Sequence, residues 1–172
     1  MVTIATVIGI TATTMAPANA QWWRRQRPAP QTAQSIQQPA AQNGSFQQQI
    51  LSLVNVERRK AGLQPVTLNS KLSQAAQNHT NDMVSKGYFS HNSPTGSTMA
   101  MRVNAVGYVY STIGENIAAG GSTASATMTQ WMNSPGHKEN ILSPKFRELG
   151  VGYAPSNGQY RHYWTQVFGT AR

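Results

Sequence analysis

The side chains best suited to acid–base or metal chemistry are few in this 172-residue sequence. It has 4 histidines, 5 acidic residues and no cysteine. The absence of cysteine excludes a thiolate zinc site, a cysteine nucleophile and disulfides. Imidazole and carboxylate chemistry must therefore draw on nine positions, which are His79, His91, His137, His162, Glu57, Asp82, Glu115, Glu139 and Glu148.

The segment "NSPGHKENILSP", residues 133–144, concentrates such groups in one turn. On a helix, residues two apart lie on different faces, so His137 is expected to group with Asn140 and to diverge from Glu139. The spacing H-x-E occurs in zinc deaminases, which also need cysteines, and the segment lacks the H-E-x-x-H pattern. Taken alone, the segment is better explained as a capped short helix whose histidine bonds a neighbouring backbone carbonyl.

Two further segments place an imidazole and a carboxylate next to glycine or proline. His91 follows Phe89 and Ser90 in "YFSHNSPTGS", and Glu115 lies between isoleucines in "TIGENIAAGG". A partly buried carboxylate needs a partner, which can be a histidine, an arginine or a metal. Together, His91, His137 and Glu115 would suit zinc with an open water position. The alternative without metal is a neutral imidazole bonded to the carboxylate.

Periodicity and cap residues predict the elements that must position these groups. Apolar residues at helical spacing predict helices over 46–62, from Asn69 or Ser70 to Gly87, between Ser97 and Gly107, over 121–134, and from Pro135 with Ser134 as its cap. Strands are expected near 111–118 and on both sides of a turn at 155–158. Since these strands look antiparallel, we predict an α+β layered fold.

The N-terminal quarter differs in composition from the rest. Residues 1–20 are typical of a secretory signal peptide, ending in the small-x-small site Ala18-Asn19-Ala20. Residues 21–45 contain no acid and many Gln, Ala and Pro, so we predict a basic low-complexity tether before a domain at 46–172. The mature protein is expected to be secreted, periplasmic or associated with the cell envelope, without a transmembrane segment.

The charge balance indicates the kind of partner. The net charge is +9 and the pI is near 10.4. This predicts attraction to anionic lipid or to an anionic envelope polymer. The positive charge is spread along the chain and accompanies no nucleic-acid-binding motif, so a specific nucleic-acid partner is not expected.

Five segments in order resemble a bacterial member of the CAP superfamily, the SCP-like extracellular domain. They are "YFSHNSP", "GENIA", "WMNSPGHKENIL", "ELGVGYA" and "YWTQVFG", and the resemblance covers residues 46–169. It implies an α-β-α sandwich in which helices flank a small antiparallel sheet. It also implies a cleft that gathers the histidine of "SH" and the glutamate of "GEN", here His91 and Glu115.

The sequence departs from the animal and fungal members of that family. Those complete a tetrad with an acid after the tryptophan and a histidine before "TQV". Here Met132, Asn133 and Ser134 follow Trp131, and Tyr163 stands where that histidine would be. His162 is no simple substitute, because neighbouring strand residues point to opposite faces. The bacterial-type segment can supply His137 instead, so the expected cleft residues are His91, Glu115, His137, Asn116 and Tyr163.

Two functions fit these observations. The first is a secreted binding module for lipid, envelope polymer or a divalent metal. The second is a metal-dependent hydrolase or peptidase with zinc on His91 and His137, and with Glu115 as ligand or general base. A serine hydrolase using Ser90 or Ser93 is a distant third, since adjacent residues rarely align as nucleophile and base. The remaining candidates are assigned structural roles: His79, Trp131 and Trp164 in the core, and Glu57 and Asp82 as surface or helix-pairing charges.

Overall fold

The computed structural model describes residues 45–172, so the signal peptide predicted at 1–20 and nearly all of the tether predicted at 21–45 lie outside the described residues. The helices are α1 (Phe46–Lys60), α2 (Ser70–Lys86), α3 (Met99–Ala105), α4 (Ala124–Met132) and α5 (Pro135–Ile141). The strands are β1 (Thr67–Leu68), β2 (Tyr110–Ala119), β3 (Glu148–Pro155) and β4 (His162–Ala171). Every predicted helix and strand is present, and β1 is additional.

The four strands form one sheet in the order β1-β3-β4-β2. The pairs β2–β4 and β3–β4 are antiparallel as predicted, whereas β1 runs parallel to β3. The expectation of a purely antiparallel sheet is therefore wrong for one pair. Two residues are too few for a periodic pattern, so β1 could not be predicted from the sequence. The α+β class and the sandwich architecture are confirmed.

Both faces of the sheet are covered by helices, and consecutive residues of β4 show this directly. Val167 belongs to a buried cluster with residues of α2 and α3, while its neighbour Phe168 belongs to a second cluster with residues of α1, α4 and α5. Because neighbouring strand residues point to opposite faces, α2 and α3 form one helical layer and α1, α4 and α5 form the other. Trp131 and Trp164 are fully buried in the second cluster, in agreement with their predicted core roles.

Helix α2 lies directly against the backbone of β3. A Cβ atom built on Gly150 would come within 2.0 Å of the carbonyl carbon of Leu72, and one on Gly152 within 2.6 Å of that of Ala76. No side chain fits in these positions, so the two glycines of "ELGVGYA" allow the close approach. This contact fixes the height at which α2 sits above the sheet.

The helix ends largely follow the predicted signals. The Asn69 side chain accepts from the backbone N–H groups of Lys71 and Leu72 at the start of α2, and Gly87 ends it with a positive φ of 67°. Thr98, one residue beyond the predicted Ser97, caps α3. Ser134 occupies the predicted cap position of α5, but its side chain makes no capping hydrogen bond there.

A buried arginine on α1 fixes the far end of α5. Arg58 is fully buried, and its Nε donates to the carbonyl oxygen of Gln64 at 2.9 Å. Its Nη1 donates to the carbonyl oxygens of Ile141 and Ser143, at 2.9 and 2.8 Å, and its Nη2 donates to that of Phe146 at 3.2 Å. These carbonyls, rather than a carboxylate, compensate the charge, and they hold the segment between α5 and β3 in place.

Candidate functional site

Glu115 is the centre of the candidate site. It lies on β2, and its side chain is only 3% exposed. Its Oε1 is 2.9 Å from Nδ1 of His91, and its Oε2 accepts a hydrogen bond of 2.8 Å from Nη2 of Arg102. The predicted meeting of His91 and Glu115 therefore occurs, through a direct hydrogen bond.

Arg102 joins the two halves of the site. It extends from α3, and the same Nη2 that contacts Glu115 also donates to the carbonyl oxygen of His91 at 3.0 Å. Its Nη1 donates to the carbonyl oxygen of Ser97 at 3.0 Å. The sequence predicts that the buried carboxylate has a partner, and arginine is one of the possible types, but no spacing pattern indicates Arg102. One signal was available, because it is the single charged residue of a short amphipathic helix.

The ionisation state of Glu115 follows from these contacts. Burial alone would raise its pKa, but the hydrogen bond from His91, the charge of Arg102 and the weaker effect of His79 together lower it. The carboxyl group is therefore ionised at neutral pH and can only accept hydrogen bonds. The hydrogen bond to this carboxylate therefore places a proton on Nδ1 of His91, and Nε2 lies on the other side of the ring. The His91 side chain is 53% exposed, so the oriented ring is open to a ligand.

His79 lies behind this pair rather than in the open part of the site. It is fully buried on α2, as predicted for a core histidine, but neither ring nitrogen has the hydrogen-bond partner within residues 45–172 that was expected, and its Nε2 is 3.9 Å from Oε1 of Glu115. Burial lowers the pKa of His79, an effect that the nearby Glu115 charge offsets only in part. The neutral His79 ring therefore lies next to the Glu115 carboxylate on the side of the core.

His137 reaches the site from the opposite helical layer. Its backbone carbonyl accepts a 3.0 Å hydrogen bond from Nδ2 of Asn116, the residue after Glu115. Burial, and then the charge of His91, lower the pKa of His137, so it is neutral at physiological pH. Its Nδ1 is buried and has no hydrogen-bond partner within residues 45–172. The two interpretations of this segment are therefore compatible, because α5 is a short helix and its His137 also contacts the residue that follows Glu115.

An amide network connects α5 to the edge strand β2. Asn140 donates from Nδ2 to the side-chain oxygen of Asn116 at 2.8 Å and to the backbone oxygen of Glu115 at 3.2 Å. Asn116 in turn donates to Oε1 of the buried Gln166 at 3.0 Å. Asn116 is therefore a positioning residue rather than a group that faces a ligand. Asn140 was expected on the His137 side of the helix, whereas the role of Gln166 was not foreseen.

Tyr163 belongs to an aromatic group beside the site. It is buried with Met83 and Ile117, and its ring centroid is 6.3 Å from that of Phe89 and 6.0 Å from that of Tyr160. His162 pairs instead with Tyr153, whose hydroxyl is 2.9 Å from Nδ1 of the imidazole. The prediction that His162 does not replace a site histidine agrees with this contact.

The donor set does not fit zinc in this arrangement. Both oxygens of Glu115 are already hydrogen-bonded, and a guanidinium cation occupies the side of the carboxylate opposite His91. Across residues 45–172, no three or more histidine, cysteine, aspartate or glutamate side chains are grouped so that they could hold a metal ion. The zinc prediction on His91, His137 and Glu115 stays a prediction.

The other candidates lie outside the site. The hydroxyl of Ser93 pairs with that of Thr95 at 2.6 Å, and the hydroxyl of Ser90 accepts from the backbone N–H of Asn92, so both hydroxyls are engaged with groups other than the His91 imidazole. Glu139 is exposed, as expected for a residue that points away from the cleft. Glu57 pairs with Lys60 and Asp82 with Lys86 along their own helices, which confirms their helix-pairing roles.

Comparison with curated proteins gives two relatives from Bacillus subtilis strain 168. The chain is 38% identical to the uncharacterized protein YkwD over 143 residues, which are 81% of this chain and 54% of YkwD. It is 34% identical to the uncharacterized membrane protein YlbC over 122 residues, which are 71% of this chain and 34% of YlbC. The chain thus spans about half of the first relative and a third of the second.

Solved structures show the same fold. An extracellular protein containing an SCP domain from Bacillus anthracis strain Ames superposes with a TM-score of 0.66 at 35% identity, over 72% of this chain and 40% of that chain. An outer surface protein from Borrelia burgdorferi gives a TM-score of 0.66 at 19% identity, over 72% and 90% of the two chains, which shows the fold alone.

Two further observations complete the comparison. Within the described part of the chain, no helix is both long enough and apolar enough to cross a bilayer. The sequence model of the Cysteine-rich secretory protein family, CAP, matches residues 51–168. This match covers more than half of the chain and agrees with the fold and with the ordered segments around His91 and Glu115. The chain therefore belongs to the Cysteine-rich secretory protein (CAP) family.

Proposed function

We propose that this protein is a binding module that acts outside the cytoplasm and holds part of an envelope polymer in the cleft lined by His91, Glu115 and His137. The observation that supports binding over catalysis is the state of Glu115. Its carboxylate accepts from Arg102 and His91 at the same time and is only 3% exposed, so it is poorly placed to act as a general base on a ligand. The site presents an oriented imidazole, which is suited to recognition.

The proposed ligand contacts follow from the two imidazoles. His91 offers the Nε2 side of its half-exposed ring, which is held in place by Glu115 and by the hydrogen bond from Arg102 to the His91 backbone carbonyl. His137 offers its half-buried neutral ring, although its Nδ1 is buried and has no partner among the described residues. A polymer rich in hydroxyl or amide groups can supply both donors and acceptors to these atoms. The net charge of +9 adds a general attraction to an anionic envelope.

The hydrolase alternative would need a rearrangement of the same residues. A zinc ion on His91, His137 and Glu115 requires Glu115 to release at least one of its present donors, and Arg102 would then be a buried cation without its carboxylate. No contact within residues 45–172 favours this state. Extracellular location of the relatives with solved structures supports action outside the cytoplasm for this chain as well.

The test is thermal unfolding of the full chain with three separate probes: soluble cell-wall polymer fragments, phosphatidylglycerol vesicles and zinc chloride. A ligand that binds only the native state raises the unfolding midpoint. We expect the cell-wall fragments to raise the midpoint of the parent and not that of His91→Ala. The His162→Ala variant, which changes an imidazole outside the site, should respond like the parent. Stabilisation by zinc alone, or equal stabilisation of parent and His91→Ala, would contradict the proposal.

A further inference from the structure

A groove lined by aromatic rings lies next to the cleft. It has a volume of about 570 Å³, between the end of α2 and the loop that joins β3 to β4. We refer to it as the aromatic groove, defined by Tyr88, Phe89, Tyr160 and Tyr163. Its size falls within the range of roughly 300–1,000 Å³ typical of small-molecule sites.

Three of these rings form a connected surface. The ring centroid of Phe89 is 5.7 Å from that of Tyr160 and 6.3 Å from that of Tyr163, and the two tyrosines are 6.0 Å apart. Phe89 is 40% exposed and Tyr160 is 36% exposed, whereas Tyr163 is almost fully buried behind them. Two large exposed aromatic residues supported by a buried third are unusual on a water-facing surface and indicate a ligand contact.

The polar part of the groove is uncharged. It consists of hydroxyl, amide and backbone groups from the β3–β4 loop, including Ser156, Asn157 and Gln159. None of the residues that line the groove is an acid, a lysine, an arginine or a histidine, although the chain as a whole has a net charge of +9. A phosphate, sulfate or carboxylate ligand would find no counter-charge here. The lining suits a neutral ligand with both apolar faces and many hydrogen-bonding groups.

The groove and the cleft are joined by one short segment. Tyr88 donates its hydroxyl to Oδ2 of Asp82 at 2.6 Å, and its backbone N–H donates to the carbonyl oxygen of Met83. Phe89 follows this anchored residue, and His91 comes two residues later. The ring centroid of Tyr88 is also 6.2 Å from that of the buried His79. A chain-like ligand can therefore contact Phe89 and His91 together.

We propose that the aromatic groove is a saccharide subsite, in which a neutral sugar ring of the ligand stacks on Phe89 and Tyr160 and bonds the amides of Asn157 and Gln159. A pyranose ring has C–H faces that pack on aromatic rings, and hydroxyl or acetamido groups at its rim that pair with amides. The assignment rests on the proposed binding function, since it names the chemical class that the cleft region takes. It adds a second contact surface distinct from His91 and Glu115.

The experiment is isothermal titration of the full chain with the neutral tetrasaccharide of β-1,4-linked N-acetylglucosamine. We expect binding by the parent and, for Phe89→Ala and Tyr160→Ala, a Kd raised about tenfold each by loss of a stacking ring. Phe46→Ala is a matched control, because Phe46 is 39% exposed but lies at the start of α1 against Tyr153 and Trp164. Unfolding midpoints of all variants show whether a weaker affinity comes from unfolding.

The outcomes separate this inference from the proposed function. Loss of affinity in Phe89→Ala and Tyr160→Ala, but not in Phe46→Ala, supports the subsite. If the tetrasaccharide does not bind while cell-wall fragments still bind in a His91-dependent way, the subsite is overturned and the proposed function stands. If the tetrasaccharide binds and the groove variants bind as tightly as the parent, the subsite is also overturned. Groove-dependent binding of the tetrasaccharide without any effect of His91→Ala on cell-wall fragments would support the subsite and contradict the cleft.

Discussion

Arg102 and Glu115 form a buried ion pair across two elements, with 2.8 Å between Nη2 on α3 and Oε2 on β2. The two side chains are 9% and 3% exposed. The same guanidinium also binds the backbone of His91, so one residue connects the short helix, the edge strand and the loop that presents the imidazole. The integrity of the candidate site depends on this pair.

The first prediction concerns removal of the carboxylate. Glu115→Ala leaves Arg102 buried without its counter-charge, which should lower the free energy of unfolding by about 3–5 kcal/mol. Urea unfolding at pH 7 measures this loss. Glu57→Ala breaks the more exposed pair with Lys60 and should change stability by less than about 1 kcal/mol. Similar losses in the free energy of unfolding of both variants would show that the buried Arg102–Glu115 pair stabilises the fold no more than the more exposed pair does.

The second prediction concerns the arginine that holds the segment after α5. Arg58→Met keeps much of the apolar stem but leaves the carbonyl oxygens of Gln64, Ile141, Ser143 and Phe146 without this donor. We expect a loss of at least about 3 kcal/mol in chemical unfolding, because several buried acceptors lose their donor. Its neighbour Arg59 is exposed, so Arg59→Met is the control and should be nearly neutral. An unchanged Arg58→Met variant would refute the role given to these bonds.

The third prediction concerns the contact between α2 and β3. In Gly150→Ala the new methyl group would overlap the backbone of Leu72, which cannot rotate away, so the helix must move off the sheet. The variant should unfold at a markedly lower temperature, with overpacking costs of about 1–3 kcal/mol or more. Gly136→Ala is the control. Nothing lies within 4 Å of the added atom, and Gly136 is only the second residue of α5, so this variant should be as stable as the parent or slightly more stable.

The fourth prediction concerns the edge of β3 that extends beyond β1. The side chain of Gln77 completes this edge, since its Nε2 donates to the carbonyl oxygen of Tyr153 at 2.9 Å and its Oε1 accepts from the Tyr153 N–H at 3.1 Å. In Gln77→Ala the amide of Tyr153 should exchange faster with solvent, and stability should fall by about 1–2 kcal/mol. The exposed Gln74→Ala should leave that exchange rate as it is. Hydrogen exchange followed by NMR decides the matter, and equal rates in the two variants would contradict it.

The fifth prediction concerns pH. The pKa values of His79 and His137 are lowered in the folded state, so below the unfolded value of 6.5 the unfolded chain binds more protons and stability falls with falling pH. The lowered pKa of Glu115 adds a loss of the same sign below its unfolded value of 4.5. The free energy of unfolding should therefore decrease from pH 7 to pH 4. His79→Gln should reduce the slope between pH 7 and 5, whereas a parent that gains stability in acid would show His79 paired as a cation with Glu115.

The helices were predictable because their signals are local. Apolar spacing and the caps at Asn69 and Gly87 depend only on near neighbours in sequence, and the structure places those helices as expected. The parallel strand β1 was missed because its two residues are paired through β3, about eighty residues away, and no local pattern records that pairing. The order of the strands is likewise a property of long-range contacts.

The candidate site was predictable in part. The meeting of His91 and Glu115 was expected from the resemblance of their segments, and burial of Glu115 required a partner. The identity of that partner could not be predicted from spacing. Arg102 lies on α3, whose sequence contains no motif, and its partners lie in the preceding loop and on β2. The amide network of Asn116, Asn140 and Gln166 is also invisible to periodicity, since each member comes from a different element.

The close packing of α2 on Gly150 and Gly152 affects how the domain would bind a ligand. Because α2 touches the backbone of the sheet, it cannot slide or tilt without atomic overlap. Gly87, which ends α2, therefore has a fixed position, and so does the beginning of the Tyr88–His91 segment that follows it. Little conformational entropy then remains for a ligand to remove from that side of the site. Substitutions that loosen the packing of α2 on Gly150 and Gly152 should weaken binding even where every contact to the ligand is retained, because the unbound Tyr88–His91 segment would then adopt more conformations.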